Sequence, residues 1–331
     1  MLRNFTQLIV VIAVSLTTAS AYELKLDAQM RIEKAVPESA PVKPEKSHKV
    51  LIYTRASGFV HGSIPLGAKA LEIMGKKTGA YDVTKITDDP AIFDGDNLKE
   101  FDAIVLMSTT GNFFQLRRPE VPKDKSEDEK KALNKKFDDE NKLNMDAEGA
   151  RKKALLDFVA AGKGIVGIHA ATDAYYNWPE YGEMIGGFFN GHPWGKINVK
   201  VDDATSPLTA QFDGKNFDFS DEIYTYKTLP NHSREKLHVL LSVDLEKSGF
   251  KKEKVKQKDG SEADKYQGEN RADHDYAVAW IKKSGQGRVF YTLLGHNDGT
   301  FQNPLSMKFF LAGMQYALGD LKADDAPSVK K

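Results

Sequence analysis

Residues 164 to 174 read Gly-Ile-Val-Gly-Ile-His-Ala-Ala-Thr-Asp-Ala, a short apolar run that changes abruptly to small and polar residues. The run from Ile165 to Ile168 is bounded by glycines, which predicts a buried strand. His169 follows this strand directly. Ligands of open parallel sheets bind in the crevice outside the carboxyl ends of the strands. His169 is therefore a candidate site residue; the alternative is a histidine that only caps the strand and bonds to the backbone.

Similar strand patterns alternate with helical patterns along the rest of the chain. Strands are predicted at 49–54, 81–86, 101–107, 196–201, 217–224, 238–243, 276–281 and 287–294, and helices at 64–77, from about 146, at 181–185 and at 304–318. This alternation is typical of βαβ units, so we expect an α/β fold with a mostly parallel central sheet.

The composition limits the classes of function. Lysine plus arginine and aspartate plus glutamate number 47 each, so no net charge attracts nucleic acid or an anionic membrane. The chain has no cysteine, which excludes disulfides, a thiolate nucleophile and a cysteine-ligated metal. A site for a divalent metal such as zinc would have to combine histidines with carboxylates.

The N-terminus has the pattern of a secretory signal peptide. Arg3 precedes the apolar run from Leu8 to Val14, and Ala19-Ser20-Ala21 is typical of a cleavage site. We therefore predict a signal peptide at 1–21, a mature chain without membrane contact, and a periplasmic or secreted location. The alternative is an uncleaved N-terminal anchor, although the apolar run is short for a membrane span.

The remaining chain is predicted to form one domain with polar additions. Residues 22–47 form an extended polar leader, 48–319 the domain, and 320–331 a disordered tail. Two charge-rich stretches, 117–145 and 246–272, are predicted insertions, the first as a solvated helix or a mobile segment.

Three histidines follow predicted strands on the side where a crevice should lie. His61 lies between the first strand and its helix, His169 follows the strand described above, and His296 follows the last strand. A fourth, His192, follows a glycine-rich aromatic loop. Histidine clusters support proton transfer near neutral pH and metal binding, although no compact metal motif such as HExxH is present. The predicted metal ligands are His169, His192 and His296.

An acidic pair followed by a tyrosine, Asp221-Glu222-Ile223-Tyr224, is the other candidate for chemistry. Neighbouring residues of a strand face opposite sides, so at most one of the two carboxylates enters a given site. Glu222 is favoured because it shares a face with Tyr224. The candidate catalytic residues are His61, His169, Glu222, Tyr224 and His296, and the candidate substrate contacts are Asp173, Trp178, Trp194 and Asp221.

Five motifs in order between residues 48 and 318 resemble the ThuA-like, trehalose-utilisation family. They are Gly58-Phe59-Val60-His61-Gly62-Ser63-Ile64, residues 164–172, Gly186-Gly187-Phe188-Phe189 with Gly191-His192-Pro193, Asp221-Glu222-Ile223-Tyr224, and Gly287-Arg288-Val289-Phe290-Tyr291 with Gly295-His296. The resemblance implies a three-layer α/β/α sandwich, flavodoxin-like and similar to the class I glutamine amidotransferase domain. Those amidotransferases carry a nucleophilic cysteine at the elbow that corresponds to His169. A chain without cysteine cannot hydrolyse glutamine in that way.

The resemblance also implies a role with disaccharides, particularly sugars oxidised at C3. We expect an exported protein that acts on a keto-sugar or disaccharide by histidine and carboxylate acid–base chemistry, with or without a divalent metal. Its partner would be a small-molecule carbohydrate, and neither nucleic acid nor a nucleotide cofactor is expected; a homo-oligomer is compatible with the sequence. One alternative is a non-catalytic carbohydrate-binding module, and another is an interaction protein that uses its charged insertions.

Overall fold

A computed structural model describes residues 25–227, 232–256 and 260–328. The predicted signal peptide at 1–21 lies outside these residues. Within the described ranges, no helix has both the length and the apolar character that a membrane crossing requires.

In the described part of the chain, nine strands form one central sheet and two form a separate hairpin. The strands are β1 (Lys49–Tyr53), β2 (Asp82–Thr87), β3 (Ala103–Met107), β4 (Gly164–Ile168), β5 (Trp194–Val201), β6 (Phe217–Ile223), β7 (His238–Asp244), β8 (Lys252–Lys256), β9 (Glu262–Tyr266), β10 (Ala277–Ser284) and β11 (Gly287–Thr292). The order in the sheet is β2-β1-β3-β4-β11-β10-β7-β5-β6, while β8 pairs with β9.

The first five strands of this order are parallel and the remaining pairings are antiparallel. The parallel part has the 2-1-3-4-5 order of flavodoxin-like folds. Because two antiparallel steps restore the original direction, seven of the nine strands run the same way. The predicted α/β fold is confirmed, with a mixed sheet whose first half is parallel as expected. Strands β3 and β4 are fully buried, as their unbroken apolar runs predict.

Helices cover both faces of the sheet and complete the predicted three-layer sandwich. They are α1 (Leu26–Ala35), α2 (Ile64–Thr78), α3 (Glu127–Ala160), α4 (Pro179–Ile185) and α5 (Pro304–Leu318). Helix α1 contacts α2 and α5 in one layer, while α3 contacts α4 in the other; α5 and α4 both contact β11. The fold class is thus the one expected from the sequence.

The charged stretch 117–145 contributes the first half of α3. This helix begins with a capping box, in which Ser126 and Glu129 exchange side-chain and backbone hydrogen bonds. Ion pairs four residues apart, such as Lys135 with Asp139, line its exposed part. The helix predicted from about residue 146 is therefore the buried second half of the same helix. The second charged stretch, 246–272, contains the β8–β9 hairpin.

The polar leader and the tail differ from the expectation. The leader contains α1, in which Ile32 and Ala35 are buried. The side chain of Gln315, itself fully buried, accepts from Val42 N and donates to Val42 O. In the tail, Ser328 N donates to the carbonyl of Leu237, so residues up to 328 are held against the domain. The leader is therefore not fully extended, and the tail is held as far as residue 328, because both segments form hydrogen bonds to distant residues that composition does not encode.

Replacing Gln315 tests how the leader is held. Gln315→Ala leaves the N–H and C=O groups of Val42 without their partners, and we expect a loss of about 1–3 kcal/mol in the free energy of unfolding. Urea denaturation measures this loss, and limited proteolysis should cut faster within residues 36–47. The control is Gln286→Ala at an exposed turn. Equal stability and equal cleavage of the two variants would contradict this account.

Candidate functional site

The carboxyl ends of three parallel strands carry the candidate histidines. His169 directly follows β4, His296 lies beyond β11, and His61 lies between β1 and α2. Glu222 reaches them from the end of β6, although three strands separate β6 from β11 in the sheet. Because β6 runs in the same direction as β11, its carboxyl end lies at the edge of the sheet where the histidines are.

The backbone at His169 is held in an unusual conformation. Its φ angle is +48°, in the left-handed region that residues other than glycine seldom adopt. The hydroxyl of Tyr291 on the neighbouring strand β11 donates to the carbonyl of His169 at 2.6 Å. The Nδ1 atom of His169 lies 2.7 Å from the carbonyl oxygen of Leu293. Because a carbonyl only accepts, Nδ1 donates to it, and Nε2 faces the site.

Four side chains meet at this point: His61, His169, Glu222 and His296, here called the histidine–glutamate cluster. One nitrogen or carboxylate oxygen from each lies within 4.8 Å of the others. His169 Nε2 is 3.3 Å from His296 Nδ1 and 3.4 Å from Glu222 Oε2. His296 Nδ1 is 3.1 Å from the same oxygen. Such a set of donors can share a proton or hold a metal ion.

Access to the cluster is from one side. His61 and His169 are buried, at 3% and 0% exposure. The side chains of Glu222 and His296 are 20% and 31% exposed. A small molecule can therefore approach His296 and Glu222, while the other two histidines form the inner wall.

Burial and charge set the protonation of the cluster. Burial, with the neighbouring histidines His169 and His296, lowers the pKa of His61 to about 3, so its imidazole is neutral at neutral pH. Burial alone would raise the pKa of Glu222. The neighbouring His169 and the charges of the histidines outweigh this and lower the pKa to about 2. Glu222 is therefore a carboxylate whenever the protein is folded near neutral pH.

Asp221 organises the loop that carries His296. It is 2% exposed and accepts hydrogen bonds from Gly295 N at 2.8 Å, Asn297 N at 3.1 Å and Thr300 Oγ1 at 2.9 Å. The prediction that Asp221 contacts substrate does not fit this position, because both of its oxygens are engaged behind the cluster. The φ angle of Gly295 is +137°, which suits glycine, and a Cβ there would come within 2.9 Å of Ile168.

The structure places His192 outside the cluster. Its side chain is 55% exposed, and its Nδ1 lies 3.3 Å from Glu222 Oε1, the oxygen that faces away from His169 and His296. Its ring stacks on Phe189 with a centroid distance of 5.9 Å. Of the predicted metal ligands, the structure therefore brings His169 and His296 together with His61 and Glu222, and leaves His192 outside this set.

The other predicted site residues divide into two groups. Trp178 is buried and stacked on Tyr181, and Trp194 is buried and stacked on Phe250, so neither presents a face to a sugar. Tyr224 is also buried; its ring lies 4.4 Å from that of His169, and burial raises the pKa of its hydroxyl. Asp173 lies half-buried beside the site, and burial raises its pKa, so its predicted substrate contact stays a prediction.

Sequence reasoning missed the residues that support the cluster. Tyr291 holds the backbone of His169, and Ser63 Oγ donates to the carbonyl of Gly295 at 2.7 Å. Tyr291 belongs to the Gly-Arg-Val-Phe-Tyr motif on β11, which was the available signal. Nothing local in the sequence indicates that Ser63 bonds to a residue so distant along the chain.

Comparison with known proteins supports the same architecture. A family model described as ThuA, trehalose utilisation, matches residues 49–121 and 140–317, and the gap between these ranges falls within the charged stretch 117–145. A ThuA-like protein from Bacteroides uniformis, known from its crystal structure, is similar at 19% identity and a TM-score of 0.55, covering 87% of this chain and 96% of that one. A second, from Parabacteroides merdae, shares 16% identity at a TM-score of 0.50, with 84% and 93% coverage. At such identities this likeness shows the fold alone. None of the curated proteins matches the chain.

Replacing Asp221 tests its role in positioning His296. In Asp221→Asn an NH2 group replaces one of the two carboxylate oxygens. This NH2 group cannot accept the hydrogen bonds that the oxygen accepted, so we expect the free energy of unfolding to fall by at least about 2 kcal/mol. The His296 ring resonances should also shift in NMR spectra. Asp218→Asn, at an exposed position of the same strand, is the control and should change stability by less than about 0.5 kcal/mol. If both variants match the unsubstituted protein, Asp221 does not hold the loop.

Proposed function

The chain belongs to the ThuA, trehalose-utilisation, family, and from this premise we propose that it acts on a carbohydrate that carries a carbonyl group, as a keto-sugar or keto-disaccharide. Family membership implies a carbohydrate-related role. The observation that carries the finer proposal is the cluster itself: Glu222 and His296 lie at the open side of a histidine site, 3.1 Å apart.

The chemistry of a keto-sugar suits such a site. A ring carbonyl makes the C–H bonds on the adjacent carbons acidic. A base removes one of these protons, and the electron pair forms an enediolate whose oxygen carries the new negative charge. If the proton returns at another carbon, the sugar is isomerised. If a leaving group departs from the carbon next to the carbanion, the outcome is elimination of that group and a new double bond. Both outcomes need one base and one positively charged group near the oxygen.

We assign the proton transfer to His192. Its Nδ1 faces Glu222 Oε1, so the carboxylate accepts the Nδ1 proton and orients the ring. The Nε2 atom then presents a lone pair at the exposed side, as a general base must. Because Glu222 has a pKa of about 2, the carboxylate is a weak base itself, and its role is to orient and to hold charge.

The inner part of the cluster stabilises the enediolate. His169 and His296 lie beside Glu222 and can place positive charge, as a shared proton or a cation, next to the substrate oxygen. His296 is the member that a substrate reaches first because its side chain is partly exposed.

A non-catalytic carbohydrate-binding module has less support. The two tryptophans predicted to contact a sugar, Trp178 and Trp194, are both buried in packing contacts. We also propose that the protein is exported to the periplasm. The predicted signal peptide lies outside the residues that the structure describes.

The proposal is tested by incubating purified protein with a disaccharide oxidised at C3, with and without added divalent metal, and following products by NMR. We expect either an isomerised sugar or the unsaturated product of elimination. His192→Ala and Glu222→Gln should each lower kcat by roughly 100-fold to 10,000-fold with KM nearly unchanged, because they remove proton transfer rather than binding.

The matched control is His274→Gln, which changes a histidine paired with Glu269 away from the cluster. It should retain full turnover. The proposal fails if no product forms under any of these conditions, or if His192→Ala is as active as the control.

A further inference from the structure

We propose that His61, His169, Glu222 and His296 together form a binding site for one divalent transition-metal ion of the zinc class. The site coincides with the proposed catalytic centre, but the inference does not rest on that function. It rests on distances, on the orientation of the His169 ring and on one unpartnered buried nitrogen.

The distances match one face of a metal coordination sphere. Two ligand atoms on a tetrahedral zinc ion, each at about 2.0–2.1 Å from it, lie roughly 3.4 Å from each other. His169 Nε2, His296 Nδ1 and Glu222 Oε2 form a triangle with sides of 3.3, 3.4 and 3.1 Å. The three atoms are therefore already spaced as three ligands of one ion.

His61 supplies the fourth position. One of its ring nitrogens lies within 4.8 Å of each of the other three ligand atoms, and its ring centroid is 4.7 Å from that of His169. Its Nδ1 is buried and has no hydrogen-bond partner among the described residues. A buried imidazole nitrogen without a partner is unusual in folded proteins. A cation bound in the cluster would give the His61 ring a partner.

The orientation of the His169 ring also supports a bound cation. With Nδ1 directed at the carbonyl of Leu293, His169 turns Nε2 toward the Glu222 carboxylate. A cation held between Nε2 and Glu222 Oε2, which lie 3.4 Å apart, is within reach of both atoms. A metal-binding histidine characteristically donates its other N–H to a carbonyl or carboxylate, which is the contact seen here.

The donor set selects the class of ion. Three imidazole nitrogens and one carboxylate oxygen suit zinc and its first-row neighbours rather than calcium or magnesium, which prefer oxygen ligands. The 31% exposure of His296 leaves a path for water or a substrate oxygen to join the ion. Asp221 keeps His296 in place because it accepts hydrogen bonds from the backbone N–H groups of Gly295 and Asn297 on either side of it.

The test is metal binding to tag-free protein, measured by elemental analysis after dialysis and by calorimetric titration with zinc. Cobalt titration adds a visible spectrum that reports tetrahedral coordination. We expect one ion per chain. His296→Ala and His61→Ala should each weaken binding about 100-fold or more, and both variants are checked for folding by circular dichroism. The partly exposed position of His296 makes its variant the safer of the two.

Two controls distinguish this site from adventitious surface binding. His192→Ala and His274→Gln should keep zinc affinity within about threefold, because neither residue belongs to the four ligands. The inference is overturned if the unsubstituted protein binds no ion, or if His192→Ala loses as much affinity as His296→Ala. Zinc binding without sugar turnover would refute the proposed function alone, and turnover in metal-free protein without zinc affinity would refute the metal site alone.

Discussion

The contact on which the site depends is the hydrogen bond from His169 Nδ1 to the carbonyl of Leu293. It joins the residue after β4 to the segment after β11, two strands that lie side by side and parallel. Together with the Tyr291 hydroxyl on the carbonyl of His169, it fixes both the left-handed backbone and the ring of this histidine. The direction in which Nε2 of His169 faces the cluster follows from this contact.

Both halves of the sheet contribute side chains to the histidine–glutamate cluster. The parallel strands place three histidines at one edge, but the carboxylate comes from β6 at the far side of the sheet. Adjacent residues of this strand have different roles, because their side chains face opposite sides of the sheet. Glu222 enters the cluster, while Asp221 holds the loop of His296 from behind. The direction of β6 is thus a condition for the site, because it brings the end of this strand to the edge where the histidines lie.

The sequence predicts the fold class and the cluster well, because both depend on local signals. Unbroken apolar runs mark the buried strands, and a histidine after a strand end marks the crevice. The face argument for Asp221-Glu222-Ile223-Tyr224 identified the carboxylate that reaches the histidines. What could not be predicted depends on distant contacts: the docking of the leader on Gln315, the burial of Trp178 and Trp194, and the position of His192 at the rim. An aromatic-rich loop has the same composition whether it stacks on a sugar or on its own domain.

The most direct test of this account is the tautomer of His169, measured by long-range proton–nitrogen NMR correlation on protein with isotopically labelled histidine at neutral pH. The account predicts a proton on Nδ1 of His169, because a carbonyl oxygen accepts from it. Its Nε2 resonance should move when zinc is added. A tautomer with the proton on Nε2 and a bare Nδ1 would contradict the account, since the lone pair would then face Leu293 and the cluster would lose its central acceptor.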